Sequence, residues 1–452
     1  MTGLPPLPPA FVRRMHEQLA ADADAYFASF REPYVRGLRR NPRKPVALEA
    51  IEGLLSPVPW EPMGHYLATD SRAGSLPLHE AGAYYLQEPS AMIPARVLAP
   101  QSGETVLDLC AAPGGKSTQL ADQLHGQGLL VCNEPVPSRA QILSRNLERM
   151  GVTNSLVVSA DPSQLEGQWP CAFDAILVDA PCSGEGMFRR HPETQLEWDE
   201  ATPARCAERQ KRILQSAVSM LKPGGRLAYS TCTLNPQENE DVVLWLLAEY
   251  SSLSPVPFSL PSGKSQPLSA PQGTLRVYPH ELAGEGHFVA LLRKEPDEED
   301  SSATSLMPAA QVLKPPPVPP LQAYEAFCRG HALPPPNAAF GDCLLHAPAL
   351  LPLTGIRVLR AGIHLGHLKG KVFAPDHALA LSLPDPAVFP AVPLTEEQAQ
   401  VYLSGEVLTL PNAPSGYALV THQGLSIGFV KGSGGQLKNH YPKGLRRHYH
   451  RS

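Results

Sequence analysis

The chain has 452 residues, of which 43% are hydrophobic, so it is long enough for about two to four domains with sizeable cores. Its formal net charge is −5, so no overall basic field indicates nucleic-acid binding, although residues 431–452 carry six Lys or Arg, three His and no acid. No apolar run approaches the ~20 residues of a membrane span, and the amino terminus lacks a signal-peptide pattern. We expect a cytoplasmic protein without a membrane partner.

The eight cysteines are scattered along the chain, and no two of them have the C-x-x-C spacing of a zinc ribbon or a thioredoxin-type site. Several fall in predicted core strands, as free thiols do in proteins of a reducing compartment. We therefore expect free thiols and no bound metal.

Residues 1–95 are predicted to form an α+β extension that binds RNA. Their first part, residues 10–30, has the apolar spacing of a helix, whereas residues 31–75 are irregular. The irregular stretch combines basic and aromatic side chains: Arg36, Arg39, Arg40, Arg43, Lys44, Trp60 and Tyr66. Such a combination suits a nucleic-acid surface, although aromatic residues more often belong to a core. A further helix is predicted at residues 90–97, with Ser90 as its amino-terminal cap.

Strands and helices alternate from residue 103 to residue 293, which indicates an α/β domain, predicted at residues 96–295, with a mostly parallel, doubly wound sheet. Its first unit consists of a short apolar strand at residues 105–109, a Pro-Gly-Gly turn, and a helix at residues 116–124. Glycines in such a turn let a ligand approach the backbone, and the amino terminus of the helix offers unpaired N–H groups.

An acid follows the next strand of this sheet. Residues 129–132 are apolar, and Glu134 lies two residues beyond them, where a carboxylate that binds ribose hydroxyls is expected. The turn lacks the Gly-x-Gly-x-x-Gly pattern that is typical of dinucleotide sites. The two features favour a nucleoside without phosphates, such as S-adenosylmethionine, over the alternative of a structural turn beside an incidental Glu134.

The helix after this second strand is predicted to turn Ile142, Leu143 and Leu147 towards the core. Asp161 lies beyond the third predicted strand, and Asp179 ends the fourth. The later strands of the domain are predicted at residues 155–158, 175–178, 226–229 and 286–293.

The carboxy-terminal part of the chain begins with a predicted linker at residues 296–320, where an acidic run, a Ser-rich stretch and a Pro-rich stretch follow one another. Beyond it, short apolar runs at residues 355–359, 416–421 and 425–430 are separated by Gly and Pro. These runs indicate a small β-rich domain within residues 321–452.

Two motifs at predicted carboxyl ends of strands each carry a cysteine, and ligands of open α/β sheets bind at this edge. Cys182 lies in the motif Asp-Ala-Pro-Cys-Ser-Gly at residues 179–184, and Cys232 lies in the motif Ser-Thr-Cys-Thr-Leu-Asn-Pro-Gln-Glu-Asn-Glu at residues 230–240. A single buried cysteine is usually an inert, small apolar residue. Two of them beside one predicted cofactor site indicate thiolate chemistry.

Methylation of C5 of cytosine needs such a thiolate, because C5 is too weak a nucleophile to take a methyl group from a sulfonium directly. Addition of the thiolate to C6 makes C5 enamine-like. A base must then remove the C5 proton before the thiolate can leave, and a second cysteine could serve that step. The target base must be unstacked to be reached.

These motifs, together with Tyr-Leu-Gln-Glu-Pro-Ser-Ala-Met at residues 85–92 and Cys-Ala-Ala-Pro-Gly-Gly-Lys at residues 110–116, resemble those of the Nop/Sun-type RNA (cytosine-5) methyltransferases. Within that family they resemble the bacterial enzymes for small-subunit ribosomal RNA, over about residues 1–295. Residues 321–360 resemble no fold that we recognise. Three later segments are similar to the PUA-like RNA-binding end of those enzymes: residues 366–370, 428–432 and 438–446.

The resemblance implies a Rossmann-like class I methyltransferase sheet at residues 96–295, with its last strand antiparallel, and a β-rich PUA-like domain at the carboxyl end. It implies that Cys232 attacks C6, that Cys182 assists release of the product, and that Asp179 contacts the cytosine at the edge of the cofactor. S-Adenosylmethionine is expected to meet Glu134 at its ribose and Asp161 at its adenine, although such an acid is often only a helix cap. Its methionine end is expected to meet Cys110, Ala111, Ala112, Pro113, Gly114, Gly115 and Lys116.

We therefore expect a monomeric enzyme that transfers a methyl group to C5 of cytosine in small-subunit ribosomal RNA, with that RNA or the small ribosomal subunit as its partner. The same chemistry on transfer RNA is one alternative. A noncatalytic RNA-binding assembly factor is another, although the intact pair Cys182 and Cys232 argues against it. An amino-group methyltransferase would carry an Asn/Asp-Pro-Pro-aromatic motif where this chain has Asp-Ala-Pro-Cys.

Overall fold

The computed structural model describes residues 6–260, 272–296 and 304–447, which form a nine-stranded central sheet and three smaller sheets. The acidic run of the predicted linker and the last five residues of the basic tail lie outside the described residues. Within the described ranges, no helix is both long and apolar enough to cross a membrane.

The amino-terminal part contains a helix pair followed by a small antiparallel sheet. The pair, α1 (Pro9–Leu19) and α2 (Ala23–Ser29), confirms the predicted helical stretch and buries Phe11, Met15 and Tyr26. The prediction that residues 31–75 are irregular was wrong, because short strands there pair in the order β2-β3-β1-β4. These elements are β1 (Arg36–Arg40), β2 (Leu54–Pro57), β3 (Gly64–Leu67), α3 (Pro77–Glu80) and β4 (Tyr84–Leu86).

The central sheet follows, with helices between its strands. Its elements in chain order are α4 (Ile93–Leu98), β5 (Thr105–Asp108), α5 (Gly115–Gln123), β6 (Leu129–Asn133), α6 (Pro137–Arg149), β7 (Ser155–Ser159), α7 (Pro162–Glu166), β8 (Phe173–Asp179), α8 (Thr202–Met220), β9 (Leu221–Thr231), α9 (Glu240–Glu249), β10 (Leu253–Pro255), β11 (Thr274–Val277) and β12 (His287–Lys294).

Strands β5 to β9 are parallel in the spatial order β9-β8-β5-β6-β7, and β12 pairs antiparallel with β9, as the resemblance implied. The inner strands are almost continuous apolar runs because both faces of the sheet are covered by other elements. The carboxyl ends of the five parallel strands therefore share one edge of the sheet.

Two local predictions in this region were wrong. Ile142 of α6 is 48% exposed, whereas Leu143 and Leu147 are buried, because adjacent helix positions point about 100° apart and the buried stripe follows Leu143. Ser90 does not cap the helical segment that it begins. The carboxylate of Glu88 accepts hydrogen bonds from the N–H groups of Ser90 and Ala91 instead.

Two of the basic residues for which a nucleic-acid surface was considered are buried and make structural contacts instead. Arg39 is 1% exposed, forms an ion pair with Asp122 of α5, and donates to Thr118 Oγ1 at 2.6 Å. The Lys44 ammonium is buried and donates to the backbone carbonyl of Arg149 at 3.0 Å. These contacts attach the amino-terminal sheet to α5 and to the end of α6.

The carboxy-terminal part forms two small sheets, of strand order β13-β14-β16-β17 and β18-β20-β21-β22-β19, and so confirms the predicted β-rich character. Its elements are α10 (Ala309–Val312), α11 (Val318–Phe327), β13 (Ala338–Phe340), β14 (Cys343–His346), β15 (Arg357–Ala361), β16 (Ile363–Lys369), β17 (Val372–Pro375), α12 (His377–Ser382), β18 (Ala391–Pro393), α13 (Glu396–Leu403), β19 (Leu408–Thr409), β20 (Gly416–His422), β21 (Leu425–Ser433) and β22 (Gln436–Asn439).

One further expectation for this part needs correction. The apolar run at residues 355–359 does not belong to a small carboxy-terminal sheet, because β15 pairs antiparallel with β7 and forms an edge of the central sheet. The described part of the predicted linker is largely solvent-exposed, as expected, except that Ala309 is buried in the core of the central sheet. Its Pro-rich end enters α11, with Pro319 in the first turn, where a missing N–H costs no helical hydrogen bond.

We predict that Asp122→Ala destabilises the protein by about 3–5 kcal/mol, because it leaves the buried Arg39 guanidinium without its counter-charge. Urea unfolding would measure this loss. The matched control is Arg72→Ala, which removes a 3.5 Å ion pair with Glu52 whose arginine is 76% exposed, and its effect should stay within about 1 kcal/mol. Equal effects of the two substitutions would contradict a structural role for the buried pair.

Candidate active site

The predicted site residues converge at the carboxyl-end edge of the central sheet. The turn at residues 110–116 follows β5, Glu134 follows β6, Asp179 ends β8, and Cys232 follows β9 directly. Because these strands are parallel and neighbouring, their carboxyl ends place the four segments around one cleft.

Two cavities, of about 510 and 500 Å³, open at this edge and share part of their lining. The first, here called the nucleoside cavity after the cofactor that the sequence predicts, is lined by Glu134, Asp161 and Cys182. The second, here called the base cavity after the predicted target, is lined by Ala111, Pro113, Gly115, Lys116, Met187 and His287. Both are lined by Cys110, Ala112, Arg139, Asp179 and Cys232.

Gly114 lines neither cavity, although the sequence placed it with the other residues of the turn. Its φ of +112° is a conformation that favours glycine, and a Cβ there would lie 3.2 Å from a methyl carbon of Leu143 in α6. Gly114 therefore allows the tight turn and the close packing of α6, while its neighbours face the cavities.

The two acids that were expected to bind the nucleoside differ in their surroundings. Glu134 is buried, accepts from the N–H of Val136 at 2.9 Å, and lies 3.4 Å from the Arg139 guanidinium. Asp161 is the amino-terminal cap of α7, where it accepts from the Ser163 hydroxyl at 2.6 Å and from the N–H of Ser163 at 3.0 Å, and these two hydrogen bonds lower its pKa. Asp161 is thus a helix cap, which was the alternative to a role in cofactor binding. Its contact with adenine stays a prediction.

Asp179 lies at the centre of a polar network between the two cavities. Its Oδ2 accepts from Lys116 Nζ at 2.8 Å, its Oδ1 accepts from Ser230 Oγ at 2.7 Å, and His287 Nε2 is 3.6 Å from Oδ1. Burial alone would raise the pKa of Asp179, but the Lys116 ammonium and His287 outweigh burial and hold it well below its usual range. Asp179 is therefore an ionised acceptor.

The two motif cysteines meet at this site, with 3.3 Å between their Sγ atoms. The hydrogen bond to Cys232 and burial together raise the pKa of Cys182 well above its usual value. Cys182 consequently keeps its proton and can donate it towards Cys232. Burial, reinforced by Asp108 and Asp179, also raises the pKa of Cys110, so that this third thiol stays neutral.

Sequence reasoning missed several residues of the site. His287 begins the antiparallel strand β12, whose pairing of Phe288 with Thr231 brings it beside the end of β9. That antiparallel arrangement was expected, so His287 could have been placed from it. Asp108 ends β5, and its Oδ2 accepts from Ser117 Oγ at 2.7 Å. Nothing in the local pattern distinguished Asp108 from an ordinary strand-end acid.

The described residues contain no group of three or more His, Cys, Asp or Glu that could hold a metal ion. The eight cysteines are free thiols.

Comparison with known protein families gives matches along most of the chain. The family described as 16S rRNA methyltransferase RsmB/F matches residues 95–293, and the N-terminal domain of 16S rRNA methyltransferase RsmF matches residues 7–89. The RsmF rRNA methyltransferase first C-terminal domain matches residues 326–383, and the methyltransferase RsmF PUA domain matches residues 389–447.

Individual proteins show the same similarity. The chain is 33% identical to the ribosomal RNA small subunit methyltransferase F of Erwinia tasmaniensis, with 97% of each chain covered, and 36% identical to that of Shewanella loihica, with 86% of this chain and 84% of the other covered. Among solved structures, a methyltransferase homolog protein from Pyrococcus horikoshii has a TM-score of 0.55 at 29% identity, covering 63% of this chain and 94% of its own. NSun6 from Pyrococcus horikoshii, solved with SFG, shares the fold with a TM-score of 0.57 at 22% identity, covering 64% of this chain and 99% of its own.

The surroundings of Asp108 predict a pH dependence of stability. Burial raises its pKa from the ordinary 3.8 to about 7 against the opposing hydrogen bond from Ser117. Between about pH 4 and 7 the folded state keeps a proton that the unfolded chain has lost, so this residue lowers the free energy of unfolding as the pH rises through that window. Asp108→Asn cannot titrate. Its free energy of unfolding should therefore rise relative to that of the parent protein as the pH increases from 4.5 to 7.5. Urea unfolding measures both proteins, and parallel pH curves would contradict the assignment.

Proposed function

The chain belongs to the RsmB/F family of 16S rRNA methyltransferases, and on that premise we propose that it methylates C5 of a cytosine in small-subunit ribosomal RNA through a covalent cysteine adduct. One observation carries the cysteine chemistry. Two thiols from separate motifs lie 3.3 Å apart where the nucleoside cavity and the base cavity meet.

S-Adenosylmethionine fits the residues of the nucleoside cavity. The buried Glu134 carboxylate faces a cavity of about 510 Å³, which suits a nucleoside with an attached amino acid, and can accept from ribose hydroxyls. Asp161 would meet the adenine side, and the turn at residues 110–116 would hold the methionine end. When bound, S-adenosylmethionine supplies an electrophilic methyl group on a sulfonium.

The base cavity would receive a cytosine that has been turned out of the RNA stack. Asp179, kept ionised by Lys116, can accept from the exocyclic amino group of cytosine. The cytosine ring gains electron density when a thiolate adds to it. The nearby Lys116 ammonium would stabilise this negative charge. These two residues would orient the base towards Cys232, which lines both cavities.

Cys232 is the nucleophile that the surroundings support better. The Cys182 thiol keeps its proton and lies within donating distance of Cys232 Sγ, and Cys232 lines both cavities. Cys232 Sγ would bond to C6, and the electron pair of the C5–C6 double bond would then take the methyl group at C5.

Product release requires loss of the C5 proton and cleavage of the C6–sulfur bond. Removal of the proton restores the C5–C6 double bond and expels Cys232 as a thiolate. Cys182 can accept that proton once its own has passed to solvent through the cavity that it lines, and its Sγ is 3.3 Å from the sulfur that must leave.

The exposed lysines of the carboxy-terminal sheets would add RNA affinity through phosphate contacts that weaken with salt. Not all of the basic tail is available for this purpose. Arg447 forms an ion pair with Glu80 of α3 and donates to the carbonyl of Gly74. The exposed lysines in question are Lys369, Lys371, Lys431, Lys438 and Lys443.

We predict that Cys232→Ala lowers methyl transfer to small-subunit ribosomal RNA by about a thousandfold or more, because no adduct can form at C6. Incorporation of labelled methyl groups into RNA measures the loss, and binding of S-adenosylmethionine should persist. The control is Cys328→Ala, which changes a half-buried thiol in the carboxy-terminal part and should leave turnover within about twofold. Substantial activity in Cys232→Ala would exclude it as the nucleophile.

Cys182→Ala should have a different outcome, because it blocks release after attack has taken place. The purified variant, mixed with small-subunit ribosomal RNA and S-adenosylmethionine, should form a protein–RNA complex that survives denaturation in detergent. The double variant Cys182→Ala/Cys232→Ala should form none. An adduct that persists in the double variant would show that another residue carries the covalent bond.

A further inference from the structure

The buried carboxylate of Glu238 lies beside the Cys182 loop and has no role in the proposed reaction steps. Glu238 is 0% exposed and lies at the end of the short 3₁₀ helix Pro236–Glu238, six residues beyond Cys232 in sequence. Its carboxylate accepts from uncharged groups, among them the Ser183 N–H and hydroxyl and the Gln210 amide. Burial of a carboxylate among neutral donors costs free energy. A buried carboxylate of this kind is therefore a candidate for a specific role.

Those hydrogen bonds hold the backbone on both sides of Cys182. Glu238 Oε2 accepts from the N–H of Ser183, the residue after Cys182, at 2.9 Å. It also accepts from Gln210 Nε2 at 3.0 Å, and the same amide donates to the carbonyl of Pro181, the residue before Cys182, at 3.0 Å. Glu238 and Gln210 therefore fix the two peptide groups between which Cys182 is set.

The same network is anchored to the strand that carries the other cysteine. The Tyr229 hydroxyl, three residues before Cys232 on β9, lies 2.5 Å from the backbone carbonyl oxygen of Glu238 and 3.0 Å from Gln210 Oε1. Thr233, directly after Cys232, has its hydroxyl 2.9 Å from that of Ser183. The positions of the two thiols are thus linked through Glu238.

We propose that Glu238 is the positioning residue that holds Cys182 at its working distance from Cys232. The consequence for catalysis rests on the proposed role of Cys182 in release. Glu238 acts as a hydrogen-bond acceptor and transfers no proton. An amide can replace it, because its oxygen can accept from the Ser183 N–H and Gln210 while its nitrogen donates to the Ser183 hydroxyl.

The test compares Glu238→Ala with Glu238→Gln by two measurements. The first is the fraction of protein held as a detergent-resistant RNA adduct during turnover, with Cys182→Ala as the reference. The second is the rate at which diamide converts Cys182 and Cys232 into a disulfide in protein without RNA, followed by peptide mapping. In that reaction the two thiols pass two electrons and two protons to one diamide, and the rate depends on the distance between the sulfurs.

Glu238→Ala should accumulate adduct as Cys182→Ala does, and its disulfide should form about 10- to 100-fold more slowly than in the parent protein. Glu238→Gln should restore both measurements to within about threefold of the parent. The matched control, Glu240→Ala, removes a neighbouring carboxylate that pairs with Arg276 instead of the Cys182 loop, and it should change neither measurement.

The proposal would be overturned if Glu238→Ala formed the disulfide at the rate of the parent protein. It would also be overturned if Glu238→Gln were as impaired as Glu238→Ala in disulfide formation and adduct release. If Glu238→Ala does not unfold cooperatively and is therefore misfolded, Glu238→Asp replaces it in both measurements. The side chain of Asp is one methylene shorter, and the same expected and contradicting results apply. If Cys182→Ala itself gives no adduct, the release role of Cys182 fails, while the disulfide rates still decide whether Glu238 positions it.

Discussion

The pairing of Asp179 in β8 with Ser230 in β9 is the constraint on which the site depends. Because the two strands are parallel, this single register sets Cys182, three residues beyond Asp179, opposite Cys232, two residues beyond Ser230. The Ser230 hydroxyl donates to the Asp179 carboxylate across the same pair. A shift of one residue in the register would turn every side chain of one strand to the other face and separate the two thiols.

The loops beyond this pair are joined by hydrogen bonds that leave little freedom. The N–H of Gly186 donates to the carbonyl of Cys232 at 2.9 Å, and a Cβ at Gly186 would lie only 2.5 Å from that oxygen. Glu185, buried beneath the Cys182 loop, accepts from Arg14 of α1 and from Asn235 of the Cys232 loop. The amino-terminal helix pair therefore supports the two cysteine loops directly, which gives this part of the chain a structural task beside any contact with RNA.

The sequence predicted the central sheet, the order of the cysteine motifs and their meeting at one edge, because buried parallel strands are continuous apolar runs and their carboxyl ends must coincide. It could not predict β1, whose five residues include one leucine and three arginines, since the burial of Arg39 depends on partners distant in sequence, such as Asp122, 83 residues away. Nor could it place β15, because an edge strand added from a distant part of the chain has the same local pattern as a strand of a separate sheet. Glu238 lay inside a recognised motif, but its role depends on Gln210, a residue of another element.

The most direct test of a covalent mechanism on small-subunit ribosomal RNA is to express Cys182→Ala in the native host, isolate the protein under denaturing conditions, and sequence the RNA that stays attached. We expect small-subunit ribosomal RNA, with reverse transcription stopped at one or a few cytosines. Transfer RNA would keep the chemistry and contradict the substrate. A folded variant that binds S-adenosylmethionine but carries no RNA would contradict the covalent mechanism itself.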